Sequence, residues 1–175
     1  NALMDSWYQL HTGQAFDTDG AWGAQGQVHE ALLKRLCDSE PWLSLPPPKS
    51  TGRDLFNLEW LAPRIQHCAG RLAPGQTLTP QDVQATLCAF TVASATQAIL
   101  AYAPEVQDVL LCGGGALNSA IFEGLKGALP CAVQTTAQAG VATQDVEALA
   151  FAWLAWAQQR NLAVGNPNVT GARGA

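Results

Sequence analysis

The run Cys112-Gly113-Gly114-Gly115-Ala116-Leu117-Asn118 is where residue type and spacing point most directly to chemistry. Three consecutive glycines remove every Cβ from a turn, so a ligand, typically a nucleotide, can lie against the backbone. The same run also reads as a tight strand-to-helix turn in which glycine answers only to geometry. A P-loop is excluded, because no Lys-Ser or Lys-Thr follows the glycines. A G-x-G-x-x-G dinucleotide fingerprint is excluded as well. Asn118 stands at its sixth position, and Gln134 and Thr135 stand where the acid is needed. Asn118 begins the next helix and suits either a cap or a nucleotide contact.

A second polar cluster is Lys49-Ser50-Thr51-Gly52-Arg53, which follows Pro46-Pro47-Pro48. Prolines stiffen the approach, and the two cations could serve a sugar, a phosphate or a closure contact. A helix N-terminus with a surface ion pair explains the same residues. Asn57, one turn on, shares both readings. Glu147 opens an otherwise apolar helix, where an acid also complements the helix dipole. Asp17 and Asp19 lie in a Gly-rich loop without calcium-loop spacing and read as a plain turn. The five cysteines (Cys37, Cys68, Cys88, Cys112 and Cys131) are odd in number and contain no C-x-x-C, so no metal site is expected. They read as free thiols of a reducing cytoplasm, three or four of them in the core. His11, His29 and His67 are scattered and read as surface or capping residues.

These residues need elements to position them. Helical periodicity predicts helices over residues 2–12, ended by Gly13, and from Val28 to Cys37. A third is predicted from about Asp54 to Ile65, capped by Ser50 or Thr51. Thr79-Pro80-Gln81-Asp82 is a helix start with a capping hydroxyl, a proline at the first position and an early acid. The helix it opens runs to about Tyr102. Asp108 to Cys112 reads as a buried strand of a parallel sheet. A helix over Asn118–Leu129, a strand over Cys131–Val133 and a helix from about Asp145 to Arg160 capped by Thr143 complete the series, and Gly165 to Ala175 reads as a polar tail. Trp7, Trp60 and Trp153 sit on apolar helix faces and read as core, whereas Trp22 lies in a loop. The fold class is α/β and helix-rich.

The 175 residues are 48% hydrophobic and 13% charged, enough for a sizeable core in one domain or at most two small ones. A net charge of −5 disfavours a nucleic-acid partner. No stretch reaches the ~20 apolar residues of a membrane span. The most apolar one, Leu87 to Tyr102, is broken by Thr91, Ser94, Thr96 and Gln97. No signal peptide is read, since Asp5 stands early and a basic start is lacking. The chain begins with Asn1 rather than Met, which reads as processing, truncation or incomplete recording.

Several segments together resemble the anhydro-N-acetylmuramic acid kinases, a family of the actin-like sugar kinase superfamily. They are Asn1 to Trp7, Asp17 to Gly20 with Trp22, Pro46 to Asn57, Asp82-Val83-Gln84-Ala85-Thr86-Leu87, Cys112 to Asn118, Asp145 to Ala155, and Val169-Thr170-Gly171-Ala172. In that superfamily a strand ends in consecutive glycines that pack on the adenosine. The resemblance implies a helix-rich C-terminal lobe of an actin-like (ribonuclease H-like) kinase fold, spanning 1–175. It implies use of ATP and Mg²⁺ to phosphorylate O6 of 1,6-anhydro-N-acetylmuramic acid while water opens the 1,6-anhydro bridge. The product is N-acetylmuramic acid 6-phosphate, in peptidoglycan recycling. Gly113, Gly114, Gly115 and Asn118 are then nucleotide contacts. Glu147, Lys49, Ser50, Thr51 and Arg53 are then on the sugar side. The family's two phosphate segments are absent, and Asn1 resembles the last residue of the second. The water-activating Asp would therefore precede Asn1, no catalytic residue is expected here, and the isolated chain is expected to be inactive. A homodimer or association with an N-terminal lobe follows from the same resemblance, and the rival expectation is a silent dimerisation or scaffold domain.

Overall fold

The computed structural model describes residues 1–165. The Val169–Ala172 segment and most of the expected tail lie outside them. Six α-helices and two strands are described, besides short 3-10 turns: α1 (Ala2–Thr12), α2 (Glu30–Asp38), α3 (Leu58–Ala69), α4 (Pro80–Tyr102), β1 (Asp108–Leu111), α5 (Ser119–Ala128), β2 (Ala132–Thr135) and α6 (Val146–Gln159). The architecture is thus helix-rich α/β, as the periodicity predicts.

Local chemistry explains the element boundaries. Gly13 takes a left-handed conformation, φ 75°, and its N–H closes α1 on the Gln9 carbonyl. His29 is a cap, its Nδ1 accepting from the Leu32 N–H at 3.1 Å. α3 starts later than expected. Residues 52–56 form a turn closed by Phe56 N–H on Gly52 O at 3.0 Å, so Ser50 and Thr51 cap nothing. Asn57 is the cap instead, accepting from the Trp60 N–H at 2.9 Å. At α4, Thr79 Oγ1 accepts from the Asp82 N–H at 3.1 Å and Asp82 Oδ2 from the Thr79 N–H at 2.9 Å, a reciprocal capping box.

α4 is the spine. Its Val83, Leu87 and Phe90 are buried in one cluster with Leu3 of α1, Leu36 of α2 and Leu125 of α5. Contrary to the sequence reading, α4 is long and apolar enough by composition to cross a membrane, yet here it packs against α1, α2 and α5. Its approach to α5 is close: a Cβ on Gly124 would lie 2.8 Å from Val92 Cγ2. Trp60 is buried, and Trp7 is half-buried with its indole N–H on the Pro80 carbonyl at 2.9 Å.

β1 and β2 pair in parallel, with Asp108 opposite Ala132 and Leu111 opposite Thr135. β1 is not the buried strand expected. Its residues alternate between exposed and half-buried, and Leu110 is 48% exposed. A two-stranded sheet offers two faces, and α5 lies against β2. α6 brings a second correction. Thr143 does not cap it; its carbonyl accepts from the Gly113 N–H at 2.7 Å, and Asp145 sits at the cap position without a side-chain bond. Trp153 is not core but 52% exposed, beside Phe151 at 71%. Its helical face is apolar, as the sequence indicates, but no described element covers it. All five cysteines are free: Cys68 and Cys88 are buried, Cys37 and Cys131 half-buried and Cys112 exposed. Cys37 and Cys131 pack against the same core as Cys68 and Cys88, in line with the three or four expected there.

Candidate functional site

A cavity of about 390 Å³ opens between the start of α1, the loop 16–19, α4 and the glycine turn. That is within the ordinary range of small-molecule sites. Its floor is built from two interlocked turns. Asp17 accepts from the Trp22 N–H at 2.8 Å through Oδ1 and from the Gly23 N–H at 2.9 Å through Oδ2. This matches the plain-turn reading of Asp17. The following residues, Asp19 at φ 56° and Gly20 at φ 75°, turn the chain onto α5. There Ser119 Oγ donates to the Asp19 carbonyl at 2.9 Å. A Cβ on Gly20 would lie 2.7 Å from Asn118 Oδ1, so glycine is what lets this loop dock.

Asn118 is nine-tenths buried and caps α5, its Oδ1 accepting from Ala120 N–H at 3.1 Å and Ile121 N–H at 3.2 Å. It also lines the cavity. Its Nδ2 lies 3.9 Å from Cys88 Sγ. Burial, then the nearby Asp17 carboxylate, raise the Cys88 thiol to about 11, against a smaller lowering by Asn118. Cys88 is therefore an uncharged packing group near neutral pH.

The three glycines divide. Gly113 has φ 68° and ψ −168°, a region that only glycine occupies readily. Gly114 and Gly115 have no positive φ, and a Cβ on either would meet nothing within 4 Å. Turn geometry explains the first glycine and leaves the other two unexplained. Gly114 and Gly115 both line the cavity.

The second polar cluster stands elsewhere. Lys49 Nζ donates to the Leu43 carbonyl at 2.5 Å and lies 5.7 Å from the Tyr102 ring centre, so it braces the proline-rich loop. Ser50, Thr51 and Arg53 are exposed. Thr51 lines a smaller cavity of about 260 Å³, which shares Asn1 and Met4 with the first. Asn57 serves as a helix cap. Glu147 is exposed in the first turn of α6 and is not among the residues lining either cavity. Among the described residues no group of three or more His, Cys, Asp or Glu side chains is placed to hold a metal ion.

Sequence reading passed over Gln84 as a site residue. It is 1% exposed in α4 and lines the cavity beside the glycine turn. The available signal was a glutamine sharing an apolar helical stripe with Leu87 and Cys88, at i+3 and i+4.

Comparison with known proteins bears on this arrangement. The family model described as anhydro-N-acetylmuramic acid kinase matches residues 1–175. An anhydro-N-acetylmuramic acid kinase of Bordetella petrii is 53% identical over 174 residues, covering 99% of this chain and 45% of the relative. That of Chromobacterium violaceum is 47% identical over 175 residues, covering 99% of this chain and 46% of the relative. The chain spans about half the length of the curated relatives it matches. The relatives are sugar kinases by name. Within that class, the chain belongs to the anhydro-N-acetylmuramic acid kinase family.

Proposed function

We propose that the full-length protein uses ATP, with Mg²⁺, to phosphorylate O6 of 1,6-anhydro-N-acetylmuramic acid as water opens the anhydro bridge. In this reading the chain forms a lobe of actin-like fold. It supplies the adenosine side of the nucleotide site and one wall of the sugar cleft. The observation that carries the reading is the pair Gly114 and Gly115, whose lack of side chains faces a cavity and has no explanation in backbone geometry. Gly113 shapes the turn, and Asn118 holds the helix that follows it. The exposed Ser50, Thr51, Arg53 and Glu147 are assigned to the sugar side, with Lys49 bracing its loop. No described residue is assigned to Mg²⁺ or as the water-activating base. Free cysteines suit the reducing cytoplasm, where we place the protein.

The uncovered apolar face of α6 favours association as well, with the rest of the kinase or with a second copy. Incubating the full-length protein with ATP and the anhydro sugar tests the function, with the 6-phosphorylated product read by mass spectrometry. Turnover is expected from the full-length protein and not from the 175 residues alone, which should still bind ATP in calorimetry. ATP-dependent turnover by the isolated chain would refute the division of labour. Absence of any ATP binding would leave the scaffold reading in its place.

A further inference from the structure

Within the turn 82–87, every polar side chain but one has work in the fold. Asp82 completes the capping box and also accepts from the Gln27 N–H at 2.8 Å. Thr86 Oγ1 donates to the Asp82 carbonyl at 2.6 Å and accepts from the His29 N–H at 3.0 Å. Gln84 is the exception. It is 1% exposed, and neither Oε1 nor Nε2 has a hydrogen-bond partner among the described residues. Burying an amide with neither end satisfied costs the desolvation of both groups, so a fold has reason to keep one only where something else supplies the bonds. Its stem is held in place: a Cβ on Gly23 would lie 3.0 Å from Gln84 Cγ. Gln84 is among the residues that line the cavity of about 390 Å³, together with Gly114 and Gly115.

The character of that cavity narrows the ligand. Asp5, Asp17 and Asp19 line it and no Lys or Arg does, so its field disfavours a bare phosphate. Phe16 and Leu117 add apolar surface. An amide offers one acceptor and two donors without charge, which matches neighbouring hydroxyls on a ring. We propose that Gln84 is a ligand-binding residue that hydrogen-bonds the adjacent hydroxyls of the nucleotide's ribose, held beside Gly114 and Gly115. The inference rests on the nucleotide-and-sugar reading of the cavity given above.

The test uses the full-length protein with Gln84→Met, close in volume, and Gln84→Leu as a second apolar replacement. Kd values for ATP and for 1,6-anhydro-N-acetylmuramic acid are measured by calorimetry, and Tm by scanning. The expected result is a Tm equal to or above that of the parent, with about tenfold weaker binding of ATP and unchanged binding of the sugar. Weakened ATP binding alone supports the ribose contact, and weakened sugar binding with ATP binding unchanged would overturn it. Unchanged Kd values for both, equal weakening of both, or a Tm lower by more than about 4 °C in both variants would overturn the inference. A parent that binds neither ligand would overturn the cavity reading itself, whereas a parent that binds and variants that bind equally would overturn the role of Gln84 alone.

Discussion

Replacing the three glycines of the turn one at a time separates backbone geometry from ligand contact. At Gly113, with φ 68° and ψ −168°, an alanine enters a region that only glycine occupies readily, at a cost of about 1–3 kcal/mol. For a chain of this size each kcal/mol moves Tm by about 2–4 °C, so Gly113→Ala should melt about 2–12 °C lower. At Gly114 and Gly115 the added methyl meets nothing within 4 Å and no positive φ opposes it. Lower entropy of the unfolded chain then leaves Tm unchanged or raises it by the equivalent of about 0.4–1 kcal/mol. The same methyls project where a nucleotide would lie, and should weaken ATP binding by about tenfold or more, equivalent to about 1.4 kcal/mol. Scanning calorimetry and ATP titration on the three variants decide the matter. A Gly114→Ala or Gly115→Ala protein that melts as low as Gly113→Ala, or that binds ATP like the parent, would refute the reasoning.

Asn118→Ala removes two bonds to the first turn of α5 and should cost about 1–2 kcal/mol in denaturant unfolding. Burial pushes the Asp82 carboxyl up, but bonds from Thr79 and Gln27 outweigh it and hold the pKa below 3.8. Its folded pKa is depressed, so its stabilisation is complete above the unfolded value and fades as pH falls through the folded one. Asp82→Ala should therefore melt lower than the parent near neutral pH, with the gap closing below about pH 3.8, as scans across pH would show. A thiol reagent on the native protein should modify the exposed Cys112 first and reach Cys68 and Cys88 only after denaturant is added, as peptide mapping would show. Phe151→Ser with Trp153→Ser should reduce dye binding and self-association of the 175-residue chain without altering its helical circular dichroism.

Much of this architecture was legible because its signals are local. Thr79-Pro80-Gln81-Asp82 contains both halves of a capping box within four residues, and Gly13 marks the end of α1 by a conformation that few other residues take. The start of α3 was misplaced because three residue types that cap helices, Ser50, Thr51 and Asn57, lie within one short stretch. The choice among them depends on the turn at Gly52 to Phe56, which competes for the intervening backbone. Trp153 and Leu110 were assigned to the core because periodicity reports that a face is apolar and cannot report what covers it. The site divides the same way. Gly113 to Gly115 stood out by type, whereas Gln84 is ordinary by type and gains meaning only from the burial of its unpaired amide. The interlock of Gly20 with Asn118 joins positions about a hundred residues apart, and no spacing rule foretells it.

The central place of α4 has a consequence during synthesis. α1 ends at Thr12 and α4 at Tyr102, so roughly 90 residues are added between the completion of one and of the other. At about 5–20 residues per second, the apolar face of α1 waits about 5–20 s for the helix that covers it, and that of α2, which ends at Asp38, about 3–13 s. Over that interval Leu3, Met4, Leu32 and Leu36 have no native partner from α4, and α5 follows later still. The ribosome-bound chain therefore offers a timed window to holding chaperones. Slowing translation between residues 38 and 80, before α4 is made, should lengthen that exposure more than slowing it after residue 102.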